Sequence, residues 1–328
     1  MQVYSVAAGQ QWALALHGGA GGRIEELAVQ GPGDYEKGLS DAYAAGAALL
    51  AVGAPALDAV CAAVTSLEDN PLFNAGRGAA LTRAGTIEHD AAVMTGDGRA
   101  GAVTISRWAR NPVLAARRVR EDQQCVLYSG VSRETLTGWG LECVDQDYFV
   151  TPGRQAQLLN VQSSGVPGPQ HGTVGAVALD RRGEVAAATS TGGTVNQVVG
   201  RIGDSPIIGA GTYARNGAAA VSCTGYGEAF MQGVVAHEIV ARVRHRGQPL
   251  TEAVAEVLET EVGGRGATGG VIVVGADGQV VVAHNSPAMY AAFCRDELVL
   301  LTGAAGSVGR RLSALPAEAS RASLGFPA

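Results

Sequence analysis

The sequence predicts an α+β protein built as a four-layer αββα sandwich, a single domain spanning residues 1–328. Three observations predict it. Two segments, "VGAVALDRRGEVAAATST" (174–191) and "GVIVVGADGQVVVAHNS" (270–286), read as strand–turn–strand units whose strands are apolar on both faces. An antiparallel sheet with one wet face alternates apolar and polar residues, so strands without alternation need cover on both sides. Long helical segments rich in Ala and Val stand on either side of these units, and stacking two sheets between two helical layers supplies the cover. Finally, 328 residues with 47% hydrophobic and 16% charged content are enough for a sizeable buried core.

In chain order, "WALALHGGAGG" (12–22) reads as a buried strand entering a Gly-rich turn. That turn fits a tight strand-to-loop connection or a backbone brought close to a ligand. Tyr35 to Leu50 is an Ala-rich helix, punctuated by Gly53-Ala54-Pro55, and "ALDAVCAAVTSLED" (56–69) is a second helix with apolar residues at three-four spacing. The nearly continuous apolar run from Ala44 to Val64 is therefore two buried helices rather than a membrane span, because Pro55 and Asp58 interrupt it. An ordered loop, "NPLFNAGRGAAL" (70–81), leads to a hairpin around Gly96-Asp97-Gly98 within residues 90–106. Asn111 to Glu121 and Thr151 to Val161 are helices, and residues 162–172 form a flexible linker. "GEAFMQGVVAHEIVARVRHR" (227–246) and "LTEAVAEVLETEV" (250–262) supply the helices of the second outer layer.

Several function classes are excluded. The net charge is −6, no Lys/Arg block occurs and aromatic residues make up 5%, so a nucleic-acid partner is not expected. Five widely spaced cysteines without a CxxC argue against a disulfide framework or zinc site and for reduced, mostly buried thiols. The N-terminal segment lacks a basic n-region, which predicts a soluble, cytoplasmic protein with no membrane partner. There is no GxSxG elbow, no HExxH among the six histidines and no P-loop, and "HGGAGG" is not GxGxxG.

What remains is the join at Gly172-Thr173, within "SSGVPGPQHGTVGAVALD" (163–180). A polar Ser/Gly/Pro stretch ends there, and Thr173 stands at the mouth of a buried strand. A Thr hydroxyl is a poor nucleophile until a base takes its proton, and one such base is the residue's own α-amino group. That amine has a reference pKa of about 7.7–8.0, suited to a general base. It exists only if the chain is cut before Thr173. A preceding Gly permits the strained backbone of an N-to-O acyl shift, and a Pro/Gly/Ser tether can move away afterwards. Alone, the stretch reads first as an ordinary β-forming Thr at a strand start.

The ordered set "HGTVGAVALD", "AAATSTGG", "GRIGDSPIIGAGTYARN" and "SCTGYGEAF" closely resembles the plant-type L-asparaginase/isoaspartyl peptidase family of Thr-dependent N-terminal nucleophile hydrolases. The resemblance extends through "LALHGGAGG", "LEDNPLFNAGRGAALTRAGTIEHDAAVM" and "GGVIVVGADGQVVVAHNSPAMY", nearly the whole chain. It implies self-cleavage after Gly172 into an α-chain, 1–172, and a β-chain, 173–328, with Thr173 as nucleophile. It implies that the Thr191 hydroxyl bonds to the nucleophile, and that Arg201 and Asp204 hold the substrate's α-carboxylate and α-amino group. A guanidinium offers a planar fork to a carboxylate. Thr224 and Gly225 match an oxyanion hole. Gly227 lines the amino-group pocket and Asn74 stands beside the nucleophile. Backbone carbonyls of Leu67, Glu68, Asn70, Phe73, Ala75 and Arg77 match a sodium-binding loop, and no organic cofactor is implied.

Each of these residues also has a plainer role available. Arg201 and Asp204 fit an exposed ion pair, Thr191 a strand cap, Thr224 a turn, and the six-carbonyl loop can satisfy itself. Glu228 reads as a first-turn helix residue favoured by the dipole. His171 lies upstream of the cut and has no role in turnover. Gln232 departs from the family, which often has a basic residue there, and Tyr226 stands between two site glycines. The implied substrates are L-asparagine and β-aspartyl dipeptides, and the implied assembly is a dimer of αβ units. Glycosylasparaginase activity on Asn-linked sugars is the alternative within the enzyme class, although those enzymes carry Asp where this chain has Gly172. A catalytically silent amino-acid-binding protein is the alternative outside it.

Overall fold

The computed structural model describes residues 1–7, 11–22, 32–165, 172–294, 298–304 and 308–312. The expected His171 and residues 166–171 of the expected linker lie outside this set. The strands are β1 (Gln2–Val6), β2 (Ala13–Gly21), β3 (His89–Thr95), β4 (Ala100–Ser106), β5 (Leu127–Ser129), β6 (Val174–Leu179) and β7 (Val185–Thr191). They continue with β8 (Thr212–Arg215), β9 (Ala219–Gly225), β10 (Gly269–Gly275), β11 (Val280–His284), β12 (Ala288–Cys294), β13 (Leu298–Ala304) and β14 (Val308–Leu312). Among the described residues they form two sheets, ordered β1-β11-β10-β9-β8 and β14-β13-β12-β2-β6-β7-β3-β4-β5. Their pairs are antiparallel except the edge pair β4–β5.

The strand sequences explain the stacking. In β10, Val271 and Val273 face one core while Ile272 and Val274 face another. In β6, Val174, Ala176 and Ala178 face helices while Val177 and Leu179 face the second sheet. A period of two, apolar at every position, thus feeds two interfaces from one strand. Each fully buried Val or Leu contributes about 1.5–3 kcal/mol. The core between the sheets includes Ala15, Val177, Ala187, Ile272 and Met289.

The outer layers are helical. Helices α1 (Pro32–Ala51), α2 (Ala56–Asp69) and α3 (Pro112–Asp122) cover the larger sheet. Short α4 (Arg133–Gly138), α5 (Gln146–Phe149) and then α6 (Pro152–Ser164) follow. Helices α7 (Gly227–Gly233), α8 (Val235–Arg246) and α9 (Leu250–Val257) cover the smaller sheet. The αββα order is as expected, and the apolar run from Ala44 to Val64 is divided between α1 and α2. No described helix is long and apolar enough to cross a membrane.

Three expectations need correction. The helix expected over 227–246 breaks at Val234, which adopts a left-handed backbone (φ 46, ψ 44). The first amides of α8 are held instead by a loop, with Ala236 and His237 donating to the carbonyls of Ala210 and Gly209 at 3.1 and 2.8 Å. Helix α6 runs to Ser164, three residues into the expected linker, and Gly165 caps it with φ +66. Thr151 starts it by accepting from the Arg154 amide. Of the thiols, Cys61 and Cys223 are buried, whereas Cys125 is exposed.

Candidate active site

Thr173 immediately precedes β6 and is 6% exposed. The glycine before it is held between the two sheets. A Cβ on Gly172 would lie 2.3 Å from Thr224 Oγ1, 2.4 Å from the Ala20 amide and 2.6 Å from Gly19 Cα. Gly19, with φ +119, returns the constraint, since its Cβ would lie 2.8 Å from the Gly172 carbonyl oxygen. The Gly-rich turn after β2 is thus a close backbone approach to the junction, and no side chain fits at either position.

A buried ring of side chains ties down both polar groups of Thr173. Its carbonyl accepts from His17 Nδ1 at 2.9 Å. A carbonyl only accepts, so Nδ1 carries the proton and Nε2 accepts from Ser222 Oγ at 2.9 Å. Burial lowers the His17 pKa to about 3, which keeps the ring neutral. Ser222 Oγ accepts from Thr189 Oγ1 at 2.7 Å, and Thr212 Oγ1, 2.7 Å from Thr189 Oγ1 and 2.9 Å from the Ser205 carbonyl, shares its one proton between these two acceptors. Ser205 Oγ closes the ring on Thr173 Oγ1 at 3.4 Å. Gly175 makes room for it, because a Cβ there would lie 2.0 Å from Ser222 Oγ.

Thr191 ends β7 and lines the same pocket as Thr173. The expected bond between their hydroxyls is not formed. Thr191 Oγ1 accepts instead from the Gly193 amide at 3.0 Å, the next turn having captured its lone pair, and its proton stays available. Thr224 Oγ1 accepts from the Ala20 amide at 3.1 Å, which aims its own proton elsewhere. Gly225 follows at φ +146 with its backbone against Gly269.

Arg201 is not an exposed ion pair with Asp204. Its Nε and Nη2 meet the two carboxylate oxygens of Glu228 at 2.9 and 3.1 Å, and Nη1 meets Gln197 Oε1 at 3.1 Å. Glu228 is therefore a partner of the expected carboxylate grip as well as a first-turn residue of α7. Asp204 is 4% exposed, and its Oδ2 has no hydrogen-bond partner among the described residues. Burial raises its pKa to about 7. A buried acceptor lining a cavity without a donor suits an ammonium ligand. Gly227 is required beside it, since a Cβ there would lie 2.8 Å from Asp204 Oδ1.

The turn that carries Arg201 is clamped from β3. Glu88 Oε2 accepts from the Gly200 amide at 2.7 Å, and Asp90 Oδ2 accepts from the Gly203 amide at 3.1 Å. Asn74 bridges loops: its Oδ1 accepts from Ala80 at 2.7 Å and its Nδ2 donates to the Gly193 carbonyl at 2.7 Å. It lines a second small cavity on the other side of Gly172. The first cavity, among Thr173, Thr191, Arg201, Asp204, Gly225 and Gly227, encloses about 20 Å³. That is room for about one water while Gly172 stays in place. Tyr226 is 42% exposed at the rim, and Gln232 is exposed on α7.

In the loop after α2, the carbonyls of Leu67, Glu68 and Asn70 accept from the amides of Asn70, Arg77 and Phe73. Those of Phe73, Ala75 and Arg77 accept no hydrogen bond among the described residues. Unengaged carbonyl oxygens suit a hard cation. No group of three His, Cys, Asp or Glu able to hold a metal occurs among the described residues.

Residues 10–302 match the sequence profile of a family described as asparaginase. The chain belongs to the asparaginase family. Among its relatives, the isoaspartyl peptidase of Salmonella typhimurium (strain LT2) is 42% identical over 294 residues, covering 85% of this chain and 94% of the relative. That of Escherichia coli (strain K12) is 42% identical over 294 residues, covering 85% and 92%. The isoaspartyl peptidase/L-asparaginase of Xenopus laevis is 37% identical over 292 residues, covering 87% and 92%.

For this asparaginase-family chain, the catalytic and substrate-binding residues expected from sequence line one pocket apart from Asn74, which lines the neighbouring cavity, and Thr224, which presses on the shared Gly172. Sequence reading passed over His17, Ser205, Ser222, Glu88 and Asp90. A signal existed for one of them: Ser222 is two residues before Thr224 on β9, so the two share a strand face.

Proposed function

We propose that the chain is a self-processing amidohydrolase that converts L-asparagine and β-aspartyl dipeptides to L-aspartate through an ester on Thr173. In the first stage Thr173 Oγ1 attacks the Gly172 carbonyl, the peptide bond to the Thr173 nitrogen breaks, and water hydrolyses the resulting ester. The products are a Gly172 carboxylate and a free Thr173 amine. In the second stage that amine takes the hydroxyl proton as Oγ1 attacks the substrate's side-chain carbonyl. The oxyanion is met by the Thr224 hydroxyl and the Gly225 amide. Arg201 and Asp204 hold the α-carboxylate and α-amino group. The amine passes its proton to the leaving nitrogen, and water then cleaves the β-aspartyl ester.

One observation carries the reading. Gly172 has no room for a Cβ among Thr224, the Ala20 amide and Gly19, so the bond to be cut is held fast at the pocket that contains Thr173, Arg201 and Asp204. The names of the relatives support the substrate class. The same reading includes one domain cut into chains 1–172 and 173–328, and a dimer of such units without nucleic-acid or membrane partners. It also includes a sodium ion held by loop carbonyls, with those of Phe73, Ala75 and Arg77 open to it, where it would stiffen the loop that leads to Asn74. A cytoplasmic location accords with the unpaired described cysteines.

The test is a denaturing gel with N-terminal sequencing, run beside an assay for released aspartate. The expected result is a new N-terminus at Thr173 and activity that rises with cleavage, while Thr173→Ala stays whole and inactive. An intact chain with full activity would overturn the mechanism. Release of aspartate from an Asn-linked sugar but not from β-aspartyl peptides would make it a glycosylasparaginase.

A further inference from the structure

Arg154 is an unexplained buried cation. It projects from the first turn of α6 and is 7% exposed. Its Nε donates to the Gly78 carbonyl at 2.6 Å and its Nη1 to Gln157 Oε1 at 3.0 Å. Nη2 has no hydrogen bond, and no carboxylate lies within ion-pair distance, among the described residues. Burial lowers its pKa, with the nearby Tyr35 opposing. Buried charges are ordinarily paired, because an unpaired one forfeits its hydration without compensation. The other arginine at this site, Arg201, obeys the rule through Glu228.

The position of Arg154 gives the missing partner. It lines the cavity on the far side of Gly172, with Tyr35, Phe73, Asn74, Tyr290 and the Gly18–Gly21 turn. Tyr35 packs on both Phe73 and Tyr290, which makes one wall aromatic. This cavity also encloses about 20 Å³, and it shares Ala20 and Gly172 with the cavity that holds Thr173 and Arg201. Departure of Gly172 joins the two into one cleft, with a guanidinium on either side of the nucleophile.

We propose that Arg154 binds the carboxylate of the leaving residue of a β-aspartyl dipeptide. This rests on the functional reading above and extends it to the substrate. A β-aspartyl dipeptide carries two carboxylates, one on the aspartyl half and one on the residue released. Arg201 faces the first and Arg154 the second, with the aromatic wall of Tyr35, Phe73 and Tyr290 beside the leaving side chain. L-Asparagine releases ammonia and leaves Arg154 without a counter-ion.

The test compares β-aspartyl-leucine with its C-terminal amide on the self-cleaved enzyme, with L-asparagine as a third substrate. In the wild type the acid is expected to exceed the amide by about tenfold or more in kcat/KM, mainly through KM, as loss of a charge-assisted hydrogen bond in a buried site implies. In Arg154→Gln the acid-to-amide ratio is expected to fall to about one. A ratio near one in the wild type would overturn the proposal, and this arm needs no variant to fold or to process. So would a ratio that persists in Arg154→Gln. Equal hydrolysis of acid and amide sinks this subsite while leaving the general function standing. Failure to release aspartate from either peptide or from L-asparagine sinks that function, and the subsite with it.

Discussion

His17 Nδ1 lies 2.9 Å from the carbonyl oxygen of Thr173, the proposed nucleophile, and fixes the strand entrance on which it stands. His17→Phe leaves that carbonyl without its partner, while the Ser222 hydroxyl keeps Thr189. The expected loss of stability is about 1–3 kcal/mol for the carbonyl left unpaired, measured by denaturant unfolding. The pH dependence has a definite sign. The folded pKa of about 3 lies below the unfolded 6.5, so the stability His17 contributes is present above pH 6.5 and is lost as pH falls toward 3. Acid unfolding of His17→Phe should be correspondingly shallower. An unchanged acid limb would contradict the neutral, buried ring.

Gly172→Ala is expected to block processing. Its Cβ overlaps Thr224 Oγ1, the Ala20 amide and Gly19 at once, and two of these contacts are backbone. Strain of this kind costs about 1–3 kcal/mol, which slows cleavage about 5- to 150-fold if it falls on the reactive geometry. Gel densitometry over several days measures it. Cleavage at the wild-type rate would show that the junction moves out of this position before it reacts.

Glu228→Gln should lower KM for L-asparagine. Glu228 presents a carboxylate to two nitrogens of the Arg201 fork, the geometry expected of the substrate's own carboxylate. The incoming group must share or displace it, and a neutral amide competes less. Steady-state kinetics at constant ionic strength report the change. A rise in KM would mean that Glu228 chiefly orients Arg201.

Glu68 gives a second pH test. It is fully buried in α2, with Oε1 accepting from the Val113 amide and the Ser190 hydroxyl while Oε2 is unpartnered. Burial raises its pKa to about 8 from 4.5. An acid with a raised folded pKa contributes stability that is fully present below 4.5 and is lost as pH rises through 8. Glu68→Gln keeps an acceptor and cannot ionise, so it should gain on the wild type between pH 6 and pH 9. Asp90 and Asp204, each raised to about 7, leave a residual slope in both proteins. Parallel curves would show that Glu68 is ionised in the fold.

The layer order was legible because strands such as β6 and β10 are apolar at every position, and only a doubly covered sheet uses such a pattern. Two strands were less legible: β8, at a sheet edge, has four residues, and the run that forms β12, inside the larger sheet, resembles any short apolar segment. Helical periodicity cannot register the left-handed Val234, whose cause is the pairing of α8 amides with a distant loop. In the site, motif order located Thr173, Thr191, Arg201, Asp204 and Thr224. It could not show that the Thr191 hydroxyl turns to Gly193, or that Glu228 fills the Arg201 fork. Arg154 gave no signal at all. On a helix it reads as a solvated charge, and only the packing of α6 against the Gly78 loop reveals its burial.

The placement of Gly172 has a kinetic meaning. The group that fills the catalytic cleft belongs to the same molecule, so its local concentration does not fall when the protein is diluted. In the proposed self-processing, release from this state is a unimolecular event. Maturation should therefore follow first-order kinetics with a half-life independent of protein concentration, and mature molecules should not hasten their uncut neighbours. Each copy keeps its own clock.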